Sequence, residues 1–348
     1  MKRIIIETPE SVSAILVGAR WEAVGKLLPQ NNVAIITDNN VYKIYGDRFP
    51  SYPVFRIKPG EESKQLSVIE TLAGGLLKKG IDRTGFILGI GGGVVCDVAG
   101  FLASVYMRGI RCGYVSTSLL SHVDASTGGK TGVNTGMIKN SIGTFSQPEF
   151  VICDSAMLRT LPQREYFSGM AELIKTGLIG DTTIIETLEN DFPAIIKRDR
   201  ALLSDLVYRS VRFKSEVVAE DEKESGLRRI LNFGHTLGHA IELFDGEGHG
   251  FAVAAGMELA TLFSHEKGYL SAKEAGRIIS LLRKYSFSGN INMPPRKPGK
   301  LILHDKKKTG DEINFVFLKG IGKPLIMKLP VNEITDFYSK YKGKKITL

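Results

Sequence analysis

The sequence predicts an α/β domain built on a mostly parallel sheet, followed by a mainly α-helical domain. Three observations lead there. Short apolar runs alternate with helical patterns up to about Asp154, the pattern of strands joined by crossover helices. Beyond that point long helical stretches dominate. The length, 348 residues with 43% hydrophobic content, suits about two globular domains and disfavours disordered, collagen-like and coiled-coil chains. The division is expected at residues 1–156 and 157–348.

Val33 to Thr37 (VAIIT) reads as the first buried strand. Glu62 to Lys79 places Leu66, Ile69, Leu72, Ala73, Leu76 and Leu77 on one helical face. Phe86 to Ile90 is another strand, which runs into Gly91, Gly92 and Gly93 and then an apolar helix reaching Tyr106. Tyr114 to Ser116 and Phe150 to Cys153 read as further strands. Ligands in such Rossmann-like sheets sit beyond the C-terminal strand ends. In the second half, helices are predicted near 163–180, 199–222, 229–244, 251–268 and 271–286. A late hairpin pairs Ile313 to Lys319 with Pro324 to Leu329 across Gly320 and Gly322. A cleft between the domains is the natural place for a site.

The net charge is +9, and residues 296–348 carry 13 Lys+Arg against 5 Asp+Glu, leaving the first 295 residues nearly neutral. A basic end raises nucleic acid or acidic lipid as partners, but no recognised nucleic-acid module is present. Neither nucleic acid nor a membrane is expected. Cys96, Cys112 and Cys153 are widely spaced without CxxC, which points to a reducing compartment. Glu7, Pro9 and Glu10 interrupt the apolar start, and no run elsewhere approaches the roughly 18 apolar residues of a membrane span. A soluble cytoplasmic protein is expected.

The glycine loops fail two familiar tests. After Gly89 and Gly91 the dinucleotide fingerprint needs glycine where Val94 stands. A glycine triplet at a helix start still lets a backbone approach a phosphate, although a tight turn explains it equally well. Asp97 reads as a ligand contact or as an acid of the helix's first turn. Gly129-Lys130-Thr131 resembles a P-loop ending, but Asp124 occupies the required glycine position. What remains is a polar loop with Asp124, Lys130, Asn134, Lys139 and Asn140, suited to an anionic, hydroxylated ligand.

Three of the six histidines gather in one stretch. His235 and His239 lie four apart on a predicted helix and share a face, and His249 follows in a glycine-rich loop. Thr236 replaces the glutamate of HExxH, so a metalloprotease is not expected. An open divalent-metal site remains, with Glu172 as one candidate acid. On the same predicted helix Arg228 and Asn232 stack with His235 and His239, and Lys214 shares that side if the helices pack. Such a face is expensive to bury without a ligand. His122, His265 and His304 stand isolated and read as packed or surface residues.

Together these motifs are specific. Gly91 to Phe101, Tyr106 to Ile110, Val123 to Asn134, Lys139 to Gly143, Ala171 to Lys175 and Asn232 to Glu242 strongly resemble, in order, the 3-dehydroquinate synthase family. The resemblance implies the dehydroquinate synthase-like fold and an enzyme using NAD and one divalent metal, zinc or cobalt. It implies conversion of 3-deoxy-D-arabino-heptulosonate 7-phosphate to 3-dehydroquinate and phosphate, in the shikimate pathway. By the same resemblance Glu172, His235 and His249 are the metal ligands. Asp38, Asn40, Glu61, Lys64, Gly92, Gly93, Asp97, Thr117, Ser118 and Lys139 form the NAD site. Asp124, Lys130, Asn140, Lys175, Lys214, Arg228, Asn232, His239 and Lys306 or Lys307 meet the substrate. Arg108 resembles a residue supplied to the neighbouring subunit's phosphate pocket, which implies a homodimer.

Four positions in three motifs depart from the family pattern. Phe251 stands where His-Gly-Glu is usual, Ser116-Thr117-Ser118-Leu119 replaces Pro-Thr-Thr-Leu, and Cys96 replaces a glycine. None removes a metal ligand or a phosphate-binding cation. Two rival readings share much of the pattern: another sugar-phosphate cyclase such as 2-deoxy-scyllo-inosose synthase, and a metal-dependent polyol dehydrogenase. The first does not need cations for a carboxylate at Lys214 and Arg228, and the second does not need the Lys130, Lys139 and Asn140 cluster.

Overall fold

The computed structural model describes residues 1–8, 11–136, 138–246, 248–287, 308–309 and 312–341. Pro9, Glu10, His304, Asp305, Lys306, Lys307, Lys342, Lys344 and Lys345 therefore lie outside the described residues. The strands run β1 Lys2–Thr8, β2 Ser11–Val17, β3 Val33–Asp38, β4 Val54–Ile57, β5 Phe86–Gly91, β6 Arg111–Ser116, β7 Lys130–Thr135, β8 Ile138–Phe145, β9 Phe150–Cys153, β10 Lys308–Thr309, β11 Glu312–Leu318 and β12 Pro324–Pro330. The helices run α1 Asn39–Tyr45, α2 Leu66–Lys78, α3 Gly93–Val105, α4 Gln163–Ile179, α5 Thr182–Asn190, α6 Phe192–Ile196, α7 Arg200–Glu220, α8 His235–Asp245, α9 His249–Glu266, α10 Ala272–Lys284 and α11 Val331–Tyr341. None of the described helices is long and apolar enough to cross a membrane.

Two compact units emerge. The first joins Met1–Tyr166 with Arg198–Lys223, and the second joins Phe167–Lys197 with Glu224–Leu348. In the first, seven strands form one sheet in the order β1-β2-β9-β6-β5-β3-β4. All neighbours are parallel except β1 and β2. β5 and β9 are buried along their whole length and β3 and β6 nearly so, as expected of parallel strands covered on both faces. Phe86 stacks on Phe150 at 5.8 Å, while Trp21, Leu88, Val115 and Ile152 pack in the same core.

The N-terminal hairpin of β1 and β2 was not expected. Its first strand is mostly exposed, so it carries only a weak apolar alternation. It also explains why α7 groups with the sheet: α7 packs against β1, and Lys2 pairs with Asp205 at 2.8 Å. A second departure is the polar loop, where Lys130–Thr135 and Ile138–Phe145 form an antiparallel ribbon. In α2 the buried stripe narrows to Ile69, Leu72 and Leu76, with Leu66 and Leu77 exposed.

The second unit is largely helical, with the antiparallel β10-β11-β12 sheet containing the predicted hairpin. The expected helix over 229–244 is interrupted. Leu227–Asn232 forms a 3-10 turn, and α8 starts only at His235. Gly234 causes the break: its φ of +78° is left-handed, a conformation open to glycine at low cost. Arg228 and Asn232 are therefore not stacked on one helix with His235 and His239. His249 does not sit in a loop but opens α9.

α8 and α9 approach closely because Gly256 has no side chain. A Cβ there would meet the Gly234 carbonyl oxygen at 2.0 Å and the Gly238 nitrogen at 2.7 Å. Both obstacles are backbone atoms that cannot swing aside. Gly256→Ala should cost this unit roughly 1–3 kcal/mol, read as a lowered melting temperature in calorimetry; an unchanged melting temperature would mean that the two helices are not held this closely.

Candidate functional site

In the first unit, candidate residues follow the C-terminal ends of adjacent parallel strands. Asp38 ends β3, Gly92 and Gly93 follow β5, and Thr117 and Ser118 follow β6. This is where the strand-end rule places ligands. Asp38 also caps α1, accepting hydrogen bonds from the Asn40 and Val41 amides at 2.8 and 2.9 Å. Gly92 is the N-cap of α3, with no side-chain cap, and it lies beside Ser118. Asp97 stands in the second turn of α3, not the first.

Lys64 organises this half. Its side chain is 4% exposed, and its Nζ lies 2.5 Å from Asp97 Oδ2 and 3.6 Å from Glu61 Oε1. It also donates to Asn140 Oδ1. Asn134 donates to Glu61 at 2.9 Å, and the Asn140 amide donates to Asn134 Oδ1 at 2.8 Å. Burial works against the Lys64 charge, but Asp97 and Glu61 outweigh it and raise its pKa. Asp97 shows the opposite balance. Burial pushes it up to about 6 although Lys64 pulls it down. Nearby in the chain, a π-type turn at Ser121–Ala125 carries Asp124, which accepts from buried Lys214 at 2.5 Å through Oδ1 and at 2.7 Å through its carbonyl.

Lys130 and Lys139 are exposed on the β7–β8 ribbon. Arg108 is exposed with φ +71°, directly after Met107 at φ +52°. Of the isolated histidines, His122 is fully buried near the Ser116 carbonyl and burial lowers it to about 4. His265 Nδ1 lies 2.9 Å from the Leu270 carbonyl. Both are packed residues, as expected.

The second unit gathers the rest. Glu172 on α4 is 1% exposed and forms an ion pair with Lys175 one turn on. His235 Nε2 lies 3.6 Å and His249 Nε2 3.5 Å from the same oxygen, Glu172 Oε1. Among the described residues neither oxygen of Glu172 has a hydrogen bond of good geometry. A buried carboxylate facing two imidazole nitrogens, all within 4.8 Å, fits the donor set of an open zinc-type site. The His235 Nδ1 faces the Phe233 carbonyl at 3.2 Å, which directs Nε2 towards Glu172. Burial alone would raise Glu172, but the charges of Lys175 and His249 hold it down at about 2.

His239, half-buried on α8, has its ring 5.3 Å from that of His235 and 6.2 Å from that of His249. Arg228 is 2% exposed. Asn232 donates to Glu224 Oε1 at 2.5 Å. Glu224 was not among the sequence candidates, and its position in an irregular turn carries no periodic signal. Glu242 was also missed. It lies 3.5 Å from His249 Nδ1, and a signal existed: it follows His235 by seven residues on one helical face.

Burial by itself would lower the His249 pKa, yet Glu172 and Glu242 reverse this and raise it to about 9. A proton on Nε2 occupies the lone pair that a metal needs. Zinc uptake by the metal-free chain should therefore strengthen from pH 6.5 to about 9, by up to about tenfold per pH unit for one displaced proton. A chelator-competition titration measures this; an affinity independent of pH would remove His249 from the ligand set.

Comparison with known proteins gives a consistent picture. The 3-dehydroquinate synthase N-terminal family model matches residues 54–168, and the C-terminal one matches 169–308. A 3-dehydroquinate synthase of Leptospira interrogans is 40% identical over 334 residues, covering 93% of this chain and 92% of that protein. One from Pelobacter propionicus is 41% identical over 317 residues, covering 87% and 88%. A solved 2-deoxy-scyllo-inosose synthase, complexed with carbaglucose-6-phosphate, NAD+ and Co2+, superposes with a TM-score of 0.82 at 25% identity, covering 96% of this chain and 98% of its own. A 2-epi-5-epi-valiolone synthase from Streptomyces hygroscopicus, with NAD+ and Zn2+ bound, gives a TM-score of 0.87 at 24% identity and the same coverage, a likeness of fold.

Proposed function

The chain belongs to the 3-dehydroquinate synthase family, and from that premise we propose that it converts 3-deoxy-D-arabino-heptulosonate 7-phosphate to 3-dehydroquinate and phosphate. The observation that carries this reading is the convergence of His235 and His249 on buried Glu172, with Lys175 beside it. Bound NAD supplies a hydride acceptor that is regenerated, and a bound zinc or cobalt ion supplies a Lewis acid for the alkoxide, as phosphate elimination followed by re-reduction, ring opening and aldol closure requires.

The first unit is assigned to NAD and the second to the metal. Glu172, His235 and His249 hold the ion. Asp38, Asn40, Glu61, Lys64, Gly92, Gly93, Asp97, Thr117, Ser118 and Lys139 hold NAD, supported by their positions at and around the strand ends. Lys64, buried and paired with Asp97, fixes that acid in place. Lys130 and Asn140, with Lys306 or Lys307, bind and compensate phosphate charge. Asp124, Lys214, Arg228 and Asn232 are assigned to the substrate, and Asp124 also orients Lys214. Lys175 steadies the charge on Glu172, and His239, with its ring 5.3 Å from that of His235, is assigned to the substrate.

The enzyme acts in the cytoplasm, in aromatic amino-acid biosynthesis through chorismate, as a homodimer in which Arg108 reaches the neighbouring phosphate pocket. Supporting this, Arg108 is exposed on a left-handed backbone next to another such residue. Non-glycine residues held there cost about 1–3 kcal/mol each and cluster at functional sites.

Identity separates this reading from the cyclase rival: 40% to the synthases against 25% to the inosose synthase. Purified enzyme should release phosphate from the heptulosonate phosphate, lose that activity on chelation and regain it with zinc or cobalt. Release from glucose 6-phosphate alone would overturn the assignment. Lys130→Ala should lower kcat/KM by about 100-fold, the scale for losing one charge-stabilising donor; near-normal turnover would take Lys130 out of the site.

A further inference from the structure

His249 uses both ring nitrogens. Its Nε2 lies 3.5 Å from Glu172 Oε1, and its Nδ1 lies 3.5 Å from Glu242 Oε2. The two carboxylates approach from different helices, α4 and α8, while His249 opens α9. Glu242 is well placed by its own helix. It sits two turns beyond His235, so one face of α8 presents a nitrogen to Glu172 and a carboxylate to the back of His249. Its side chain is 8% exposed, which strengthens any charge interaction that it makes. The neighbouring position two residues along α9 cannot do this work, because Phe251 is apolar and packs edge-on against Phe287 at 5.6 Å.

We propose that Glu242 is the positioning residue for His249: it accepts the Nδ1–H, fixes the tautomer and ring orientation, and leaves Nε2 directed at the metal position beside Glu172. The inference rests on the metal-dependent reading above. A carboxylate behind a ligating imidazole raises its basicity as well as orienting it. Charge favours this role over that of a second cation ligand, although His239, Glu242 and His249 also lie within 4.8 Å of one another. One divalent ion together with Lys175 already brings three positive charges against the two negative charges of Glu172 and Glu242. A second ion on the other nitrogen of the same ring would add to that excess in a largely buried site.

The test compares the full-length wild-type chain with Glu242→Gln and Glu242→Ala. Zinc affinity is measured by chelator competition, the number of ions bound by elemental analysis, and ligand geometry by the visible spectrum of the cobalt-loaded protein. Glu242→Ala should weaken zinc by about 10–100-fold and alter the cobalt spectrum, with one ion bound per chain throughout. Glu242→Gln is nearly isosteric and its carbonyl still accepts from Nδ1–H, so its loss should be smaller; it also serves if the alanine variant fails to fold. Unchanged affinity and spectrum in a folded variant would overturn the proposal. So would two ions per wild-type chain falling to one in either variant, because Glu242 would then be a ligand. A wild-type chain that binds no metal would instead sink the functional reading, and phosphate release distinguishes the two failures.

Discussion

Glu172 has 1% of its side chain exposed, and a lone carboxylate in that position would be driven to neutralise itself. Here it stays ionised because Lys175 lies one turn away on the same helix and two imidazoles face it from α8 and α9. That requirement constrains the second unit. The first residues of α8 and α9 must converge on the middle of α4, which needs the two helices to run close together. Gly234, Gly238 and Gly256 allow that approach. The Gly250 amide, donating to Ser168 at 3.1 Å, ties the start of α9 to α4.

The first unit solves a similar problem with the opposite polarity. Its buried charge is an ammonium, Lys64, and the compensation comes from Asp97 on α3, Glu61 beside it and Asn140 on the β7–β8 ribbon. The outcome differs because Asp97 is pushed up to about 6 by burial, whereas Glu172 is held low. Burial therefore leaves the two acids with opposite shifts, because the cation beside Asp97 offsets less of its burial than the charges around Glu172 do.

Much of this was legible in the sequence. Val33 to Thr37, Phe86 to Ile90 and Phe150 to Cys153 emerged as strands because central parallel strands are apolar on both faces. β1 did not, since an edge strand with a mostly exposed surface loses that signal. His235 and His249 stood out as candidates by type and spacing, and the structure brings both within 3.6 Å of Glu172 Oε1. Their setting was misread, because Gly234 looks in the sequence like one tolerated glycine inside a helix. Glu224 left no trace, being placed by an irregular turn rather than by a periodic element.

The sequence alone determined the order of elements, the family motifs and the cast of charged and imidazole side chains. These are local properties, written in composition, alternation and short spacing. Only the tertiary structure decided which groups meet: Lys64 with Asp97, Lys214 with Asp124, Asn232 with Glu224, and the two nitrogens of His249 with two different carboxylates. Each pairing is settled at ångström range by backbone packing between segments that no local pattern relates. Hydrogen bonds and ligand sets lose their strength over a fraction of an ångström to an ångström, so the chemistry of the site is a property of that packing.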